Sequence, residues 1–330
     1  MLYAVIASNS FSGSWMVDTI LSQNPKAQVI GFSRQKEHDS VFLPYRRHNP
    51  SRFQFFQCDL NKDFQKLMQI LDEQKPSAII NFAAQGEVGT SWRYPEDWYE
   101  TNALAIVRLT NALKDRSYLK TYVQISTPEV YGSCHEVKED CAFNPSSPYA
   151  ASKASGDFFI QTITKQFKFP AIFIRSTNVY GAHQQLYRII PRTILYLKMG
   201  KKIQLQGGGK AVKSYIHIQD VCLGIMKAMT TYQPGEVFHF SPEESVSIKD
   251  LVAKICKRME HKFEDNVQMV EERPGQDACY IIDSSKARKS LGWRPQISLD
   301  QGIDETIRWV EVNYQHLIQT PLEYEFIPSV

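Results

Sequence analysis

The chain has 330 residues, and at about 100–200 residues per domain this length predicts about two domains. Hydrophobic residues make up 43% and charged residues 22%, which is an ordinary globular composition with ample material for a core. The formal net charge of +3 is too small to indicate a nucleic-acid partner. No apolar run approaches the roughly 18 residues of a membrane span, and the first residues lack a signal peptide's basic region. We therefore expect a cytoplasmic protein that binds neither nucleic acid nor membrane.

The first half of the chain alternates short apolar runs with longer amphipathic stretches. The apolar runs mix in few polar residues, as expected for strands that are buried on both faces. They lie at residues 3–7, 28–32, 53–58, 78–82, 121–126 and 171–176. Amphipathic stretches such as 13–21, 64–74 and 98–113 lie between them. This succession predicts an α/β fold of the Rossmann type, with a doubly wound parallel sheet.

The pattern changes after about Val179, where loops lengthen and proline and glycine become frequent. These two residue types mark turns and loops. We therefore expect residues 1–178 to form the sheet domain, with residues 211–240 returning to it. Residues 179–210 and 241–330 are predicted to form a smaller C-terminal substrate domain.

The turn after the first strand is where a sheet of this kind binds a dinucleotide. Glycines there allow a tight turn and close approach of the pyrophosphate, which meets the N-terminus of the first helix. On a GxxGxxG frame the glycine positions hold Ala7, Ser10 and Gly13. Only one glycine remains, but the replacements are small enough for the phosphates to approach. The other residues that we assign to this cofactor turn are Asn9, Phe11 and Ser12.

The ends of the second and third strands bear on the choice of cofactor. An acidic residue after the second strand would bond the ribose 2′-hydroxyl of NAD, but Ser33 and Arg34 stand there. A hydroxyl and a guanidinium suit a 2′-phosphate, so the sequence predicts NADP ahead of NAD, unless Arg34 is an ordinary surface charge. Asp59 and Leu60 end the third strand, where a carboxylate either meets the adenine amino group or caps a helix.

The strongest local signal is the pair Tyr149 and Lys153 in a helix-forming stretch. A spacing of four residues places both side chains on one face, about one turn apart. A nearby ammonium lowers the pKa of a phenol, so Tyr149 is predicted to act as the general base in oxidation of an alcohol. Upstream, the fifth strand runs into Thr127 and Glu129, at the end of the sheet where ligands bind in open α/β folds.

With these residues in place, the sequence resembles the extended short-chain dehydrogenases/reductases, the family of nucleotide-sugar epimerases and dehydratases. The resemblance covers nearly the whole chain. It rests on segments 81–85, 101–102, 175–181, 273–277, 283–286 and 291–295. It implies that residues 1–178 bind NAD(P) and that the smaller domain binds a nucleoside-diphosphate sugar. Further cofactor contacts are expected from Ala83, Ala84, Gln85 and Asn102.

The resemblance also implies a set of residues that hold the sugar nucleotide. Asn178 matches the family asparagine that meets the substrate diphosphate. Basic residues are expected around the same diphosphate, although each of them is also an acceptable surface charge. The residues predicted to bind substrate are Glu87, Asn178, Arg188, Lys213 and Arg273. The sequence indicates no metal site, and the family resemblance implies a homodimer or a larger homo-oligomer.

Within the family, residues 126–132 discriminate between reactions. The dTDP-glucose dehydratases resemble this segment with Thr-Asp-Glu, and the GDP-mannose dehydratases with Thr-Ser-Glu, at the positions of Thr127, Pro128 and Glu129. The glutamate is retained, but a proline has no proton to donate. The resemblance therefore implies a 4,6-dehydratase in which Glu129 serves more than one step. In that reaction Tyr149 takes the C4 hydroxyl proton, Glu129 removes the C5 proton, water leaves from C6, and hydride returns to C6.

Two other hypotheses remain open at this point. A 4-epimerase or a uronate decarboxylase would use the same Tyr149 and Lys153, and decarboxylases also carry a glutamate at the position of Glu129. The C-terminal region of the decarboxylases resembles segment 273–275 less well, so we favour the dehydratase. A non-catalytic NADP-binding regulator would fit the altered glycine turn and Pro128, but it has no need of Thr127, Tyr149 and Lys153 together.

Overall fold

The structure is a computed structural model that describes residues 1–271 and 280–329. Its strands are β1 (Leu2–Ile6), β2 (Gln28–Ser33), β3 (Phe53–Gln57), β4 (Ala78–Asn81), β5 (Thr121–Ile125), β6 (Cys134–Val137), β7 (Ala171–Ser176), β8 (Asn178–Tyr180), β9 (Ile203–Gln206), β10 (Val212–Lys213), β11 (Tyr215–His217), β12 (Val237–Phe240), β13 (Val246–Ser247), β14 (Val267–Val270) and β15 (Tyr280–Ile282).

The helices alternate with these strands in the first half and dominate the second. They are α1 (Phe11–Gln23), α2 (Phe64–Gln74), α3 (Val88–Ser91), α4 (Pro95–Tyr99), α5 (Ala105–Leu113), α6 (Pro148–Phe167), α7 (Ile189–Lys198), α8 (Ile218–Thr231), α9 (Ile248–Arg258), α10 (Phe263–Asn266), α11 (Ser285–Leu291) and α12 (Leu299–Leu317). Short 3-10 helices lie at Ser40–Phe42, Pro44–Arg47, Pro50–Arg52, Pro128–Tyr131 and Gly207–Gly209, and a π-helical turn at Glu100–Leu104 joins α4 to α5.

Seven strands form one parallel sheet in the order β12-β7-β5-β4-β1-β2-β3. Val5 on β1 lies opposite Gly31 on β2 and Ile80 on β4. The chain runs outward from β1 to β3 and then crosses to the other side of β1, so the direction of strand order reverses between β1 and β4. Ligands bind outside the carboxyl ends of the strands at such a point. The Rossmann-type fold predicted from the sequence is confirmed.

The sheet strands are apolar throughout because helices cover both faces. Met16 of α1 and Ile225 of α8 pack on one face, while Leu109 of α5 and Ile160 of α6 pack on the other. All four side chains are fully buried. A residue facing either side of a central strand therefore meets a helix, which explains why the sequence shows continuous apolar runs there. The first run ends at Ile6, one residue earlier than predicted, because Ala7 begins the turn.

A second core lies in the C-terminal part of the chain, among α7, α9 and α12. It includes Ile194, Leu251, Ile255 and Val310, all fully buried. Small ladders pair β9 with β14 and β10 with β13, whereas β12 joins the main sheet beside β7. The division into 1–178 with 211–240, and 179–210 with 241–330, stays a prediction. Across residues 1–271 and 280–329, every helix is too short or too polar to cross a membrane.

Candidate active site

The main sheet opens at its carboxyl end into a cavity of about 1040 Å³. This is as large as the biggest of ordinary small-molecule pockets, which run to about 1,000 Å³. Residues following β1, β2, β3, β4, β5 and β7 line it, and residues of the last stretch of the chain, between 320 and 327, form part of its wall. Side chains predicted for three separate roles therefore meet in one space.

The turn after β1 keeps its tight shape although two of its glycines are replaced. Ala7 has a φ of 60°, the left-handed conformation for which glycine is usually needed. The Ser10 hydroxyl donates to the Ala7 carbonyl at 2.7 Å and accepts from the Gly13 N–H at 3.1 Å, so it caps α1. A Cβ on Gly13 would lie 2.1 Å from the Ala7 oxygen, which only glycine avoids.

This turn presents the N-terminus of α1 to the cavity. The predicted turn residues that line it are Ala7, Asn9, Ser10, Phe11 and Ser12. Gly13 supports the turn from behind and is not among the described lining residues. A helix N-terminus with a closely packed turn is suited to an anionic pyrophosphate. The residues present therefore fit a dinucleotide.

The two residues at the end of β2 that were predicted to hold a 2′-phosphate, Ser33 and Arg34, have protein partners. The Ser33 hydroxyl oxygen accepts the Asn9 backbone N–H at 3.0 Å. The Arg34 Nη1 donates to the carbonyl oxygen of Ile327 at 3.1 Å. Both residues line the cavity, but their polar groups stabilise the protein's own turn and its last residues. This geometry gives the NADP prediction no support.

Asp59, after β3, lines the cavity together with Leu60. The Asp59 carboxylate accepts the backbone N–H of Asn61 at 2.8 Å and that of Lys62 at 3.3 Å. It thus closes the turn that follows the strand, whereas Asp63 occupies the N-cap position of α2. The carboxylate faces the cavity and also organises its own loop.

Asn102, which was predicted to contact the cofactor, is buried behind the loop that follows β4. Ala83, Ala84 and Gln85 line the cavity, but Asn102 is 1% exposed and is not among the described lining residues. Its side chain accepts the Gln85 N–H at 2.9 Å and donates to the Gln85 carbonyl at 3.0 Å. It also donates to Ser152 Oγ on α6 at 3.0 Å. These bonds join the loop after β4 to the helix of Tyr149, and the cofactor-binding role of Asn102 stays a prediction.

Glu129 reaches the cavity through a short helix that starts where β5 ends. Thr127 is the N-cap of this helix, and its Oγ1 accepts the Glu129 N–H at 3.3 Å. Pro128 occupies the first helical position, where its fixed φ suits the turn and its missing N–H is harmless. Thr127, Pro128 and Glu129 all line the cavity, with Glu129 half-buried. Pro128 thus has a structural reason, since it fixes the turn that presents the glutamate.

Tyr149 and Lys153 lie one turn apart at the beginning of α6, and both line the same cavity. Ser147 caps this helix by accepting the Ala150 N–H at 3.2 Å. The Lys153 Nζ donates to the carbonyl oxygen of Ile125 at 2.7 Å. This bond holds the helix against the end of β5, so Tyr149 and Glu129 approach the cavity from adjacent elements.

The pKa values in this site depart from the expected direction. Burial raises the pKa of Tyr149 well above its usual value, the negative charge of Glu129 raises it further, and a hydrogen bond from Thr127 lowers it. Burial lowers the pKa of Lys153 to about 8, although Asp157 raises it. The Tyr149 pKa is therefore raised in this structure, not lowered as expected, and desolvation of the phenol is the largest cause.

A buried ion pair that the sequence reading missed lies beneath these residues. Asp157 on α6 and Arg175 on β7 are both fully buried and lie 3.0 Å apart. The Asp157 carboxylate also accepts a hydrogen bond from Ser126 Oγ at 2.5 Å. This cluster joins α6, β5 and β7 below the cavity. Asp157 follows Lys153 by four residues, and that helical spacing was the available signal.

The residues predicted to bind substrate are placed unevenly. Asn178 lines the cavity and donates to the Ser214 carbonyl at 3.1 Å. Glu87 and Arg188 also line it, with 3.8 Å between the Glu87 carboxylate and the Arg188 guanidinium. Lys213 is buried on β10 and is not among the described lining residues. Arg273 lies outside the described residues. The substrate-binding roles of all five stay predictions.

Residues 9–306 match the sequence model of the GDP-mannose 4,6 dehydratase family. The chain belongs to this family. The resemblance predicted from the sequence is thereby confirmed, as is the prediction of a dehydratase-class enzyme.

Relatives of this dehydratase family member cover it almost completely. The dTDP-D-glucose 4,6-dehydratase of Mus musculus is 30% identical over 320 residues, which are 94% of this chain and 89% of the relative. The dTDP-glucose 4,6-dehydratase of Escherichia coli is 29% identical over 339 residues, covering 94% and 93%.

Solved structures with the same fold include both a dehydratase and an epimerase. DesIV, the dTDP-glucose 4,6-dehydratase of Streptomyces venezuelae solved with NAD and TYD bound, has a TM-score of 0.88 at 28% identity over 96% of this chain and 98% of that one. The UDP-glucuronic acid 4-epimerase of Bacillus cereus, in complex with UDP-glucuronic acid and NAD, has a TM-score of 0.85 at 26% identity, with coverage of 95% and 100%. Both structures hold NAD, so they support a nicotinamide dinucleotide without supporting NADP.

Proposed function

We propose that the protein is a NAD-dependent nucleotide-sugar 4,6-dehydratase, which converts a nucleoside-diphosphate hexose into its 4-keto-6-deoxy derivative. The observation that carries this proposal is Glu129, half-buried in the cavity that Tyr149 and Lys153 line. Epimerisation at C4 needs only oxidation and reduction at one carbon, so a carboxylate beside the tyrosine has no task in it. Elimination of water requires a group that removes the C5 proton.

The cofactor of this proposal is NAD, which replaces the NADP expected from Ser33 and Arg34. The engagement of both side chains by the protein supports the change. The turn of Ser10 and Gly13 would hold the pyrophosphate at the N-terminus of α1, and Asp59 would face the adenosine. When bound, the dinucleotide would supply a hydride acceptor for C4 of the sugar and a hydride donor for C6, so none would be consumed.

In the first step, Tyr149 accepts the proton of the C4 hydroxyl as the hydride leaves C4. Its raised pKa in the free site means that the phenolate needs positive charge nearby. Lys153, one turn away and with a pKa of about 8, is mostly protonated at neutral pH and supplies part of that charge. The ketone formed at C4 then acidifies the proton on C5.

In the second step, Glu129 accepts the C5 proton and delivers it to the C6 hydroxyl, which leaves as water. Pro128 has no proton to give, so one carboxyl group performs both transfers. When hydride returns to C6, C5 gains a proton from Glu129, which has taken that proton from solvent. Tyr149 then releases to solvent the proton that it accepted from the C4 hydroxyl. Asn178 and Arg188, both on the cavity wall, are assigned to the substrate diphosphate.

The first experiment incubates the protein and NAD with dTDP-, UDP-, CDP- and GDP-hexoses and follows the products by mass spectrometry. We expect one of them to yield a product lighter by one water, and dTDP-glucose is the first candidate because the curated relatives are named for it. Release of carbon dioxide from a nucleotide-linked uronate would instead identify a decarboxylase.

The second experiment separates elimination from oxidation with Glu129→Gln. We expect reduced dinucleotide to accumulate when substrate is added, while dehydrated product falls by roughly 10²–10⁴-fold, the usual effect of removing one acid–base group. Glu311→Gln, an exposed glutamate on α12, is the matched control and should keep full turnover. Full turnover in Glu129→Gln would contradict the proposal.

A 4-epimerase is the second candidate, because one of the solved relatives has that activity. Substrate deuterated at C4 distinguishes the two. A dehydratase transfers the label to C6 of the same molecule, since the hydride stays in the site. An epimerase returns the label to C4 with inverted configuration, and that result would replace the dehydratase assignment.

A further inference from the structure

The last part of the chain crosses from one domain to the other along the cavity. Helix α12 ends at Leu317, whose side chain is buried in the C-terminal core. The chain then continues without regular structure through residues 318–329. The members of this stretch that line the cavity are Thr320, Pro321, Glu323, Tyr324, Glu325 and Ile327. We refer to residues 320–329 as the C-terminal strap.

The far end of the strap is anchored to the sheet domain by a buried polar contact. Ser329 is 1% exposed. Its backbone N–H donates to the Asp97 carboxylate, and its hydroxyl lies 2.6 Å from Thr101 Oγ1. Asp97 lies on α4, and Thr101 lies on the π-helical turn that follows. These hydrogen bonds are buried, and removing one partner would leave the other polar group buried without a hydrogen bond, which lowers the stability of the protein.

Aromatic contacts hold the strap at two further points. The Phe326 ring stacks on Tyr94, with centroids 4.6 Å apart and planes within 7°, and on Trp98 at 5.7 Å. The Tyr324 ring meets Tyr187 edge-on at 5.4 Å. Phe326 therefore binds the sheet domain and Tyr324 binds the residues beside α7. The strap thus has a defined path on both sides of the cavity.

Between these anchors, the backbone carbonyl of Ile327 accepts hydrogen bonds from two of the residues predicted to bind the cofactor, Arg34 and Gln85. The Ile327 oxygen accepts from Arg34 Nη1 at 3.1 Å and from Gln85 Nε2 at 2.8 Å. Gln85 also donates to Ser329 Oγ at 3.1 Å. Arg34 follows β2 and Gln85 follows β4, the two strands on either side of β1. The Ile327 oxygen therefore joins residues from both sides of the point where the strand order reverses. The Arg34 Nη1 therefore donates to a backbone carbonyl of the protein and not to a 2′-phosphate.

The acceptor that the strap places at Arg34 is the Ile327 carbonyl oxygen. A neutral 2′-hydroxyl is able to donate a hydrogen bond to an oxygen of this kind, whereas an ionised 2′-phosphate has no hydrogen to donate. The strap glutamates Glu323 and Glu325 also line the cavity with exposed side chains, and the Glu323 carboxylate accepts from the Tyr196 hydroxyl at 3.2 Å. The acidic residue that NAD sites usually place after β2 is absent here, and the strap brings one acceptor oxygen, the Ile327 carbonyl, to the same region from the other end of the chain.

We propose that the C-terminal strap completes the dinucleotide site, and that the Ile327 carbonyl, by holding Arg34, makes the site select NAD over NADP. The proposal rests on the proposed function in one respect, namely that a nicotinamide dinucleotide binds this cavity. A strap in contact with the bound dinucleotide would slow its release, which suits a reaction in which the same dinucleotide accepts one hydride and returns it before leaving.

The test compares the full chain with a chain shortened after Leu322, without sugar nucleotide. Calorimetry gives the dissociation constants of NAD and NADP, and stopped-flow fluorescence gives the rate of NAD release. In the shortened chain we expect NAD release to accelerate and the preference for NAD over NADP to fall by at least about tenfold, equivalent to about 1.4 kcal/mol. Equal constants and equal rates in the two chains would overturn the proposal.

Two point variants keep the experiment interpretable if the shortened chain does not fold. Phe326→Ala removes the stacking anchor from the complete chain and should change both measurements in the same direction. Phe167→Ala, an exposed phenylalanine at the end of α6 that is 53% accessible, is the matched control and should leave them unchanged. The proposed role of the strap is also refuted if the Phe326→Ala protein has the same dissociation constants and the same rate of NAD release as the unmodified protein.

These measurements separate failure of the strap from failure of the proposed function. If the full chain binds neither dinucleotide, the proposed enzyme itself is refuted. If it binds NAD and the variants bind it equally well, only the strap is refuted. Added protection of residues 320–329 from hydrogen exchange when NAD binds is a further expected result, and it does not depend on turnover.

Discussion

Lys153→Met is expected to stabilise the protein while abolishing its activity. Lys153 is 3% exposed, and burial lowers its pKa from 10.5 to about 8. The folded chain therefore binds the Lys153 proton less tightly than the unfolded chain does, and at pH 7 it contains a buried ammonium at a cost in free energy. Methionine has a similar length and no charge, so it removes this unfavourable feature from the core.

The size of the effect follows from the pKa difference and one hydrogen bond. A fall from 10.5 to about 8 corresponds to about 3 kcal/mol, at about 1.4 kcal/mol for each pKa unit. Loss of the bond to the Ile125 carbonyl offsets about 1 kcal/mol of this gain. We expect Lys153→Met to raise the free energy of unfolding by about 2 kcal/mol at pH 7.

The pH dependence has a definite sign. Between about pH 8 and 10.5 the unfolded chain keeps the Lys153 proton and the folded chain loses it, so the stability of the unmodified protein rises with pH relative to the variant. The gain from Lys153→Met is therefore complete below pH 8 and shrinks above it.

Urea denaturation of both proteins at pH 7, 8.5 and 9.5, followed by circular dichroism, measures this difference. Lys153→Arg is the control, because the guanidinium keeps its charge throughout this pH range. We expect this variant to have a lower free energy of unfolding than the unmodified protein at each pH. If Lys153→Met is less stable than the unmodified protein at pH 7, or if the difference is independent of pH, the account of a strained buried ammonium is wrong.

Three further predictions concern the turn, the buried ion pair and the substrate. Ala7→Gly should raise the free energy of unfolding by about 1 kcal/mol in urea titrations, since it relieves a left-handed alanine; an unchanged midpoint would contradict this. Asp157→Asn should lower it by about 3–5 kcal/mol because Arg175 stays buried and charged, and an Asp157→Asn/Arg175→Met double variant should recover part of the loss. Arg188→Ala should raise KM for the sugar nucleotide more than it lowers kcat. An unchanged KM would mean that Arg188 is an ordinary surface residue.

Much of this protein was predictable from local sequence patterns. The continuous apolar runs of the sheet predicted a parallel fold, because a strand buried between two layers of helices has no polar face. The four-residue spacing of Tyr149 and Lys153 predicted one helical face. Pro128 was visible as well, but its purpose became clear only in the structure, where it starts the short helix that carries Glu129.

The tertiary structure decided whatever depends on burial or on residues far apart in the chain. The direction of the Tyr149 pKa was mispredicted because spacing reveals a neighbouring lysine but not how much water both groups lose. Asn102 looked like a cofactor ligand, yet its side chain joins Gln85 to Ser152. The NADP prediction treated Arg34 as available, whereas its partner Ile327 is 293 residues away. A backbone carbonyl is present at every position and carries no signature in the sequence, so only folding determines which one meets the guanidinium.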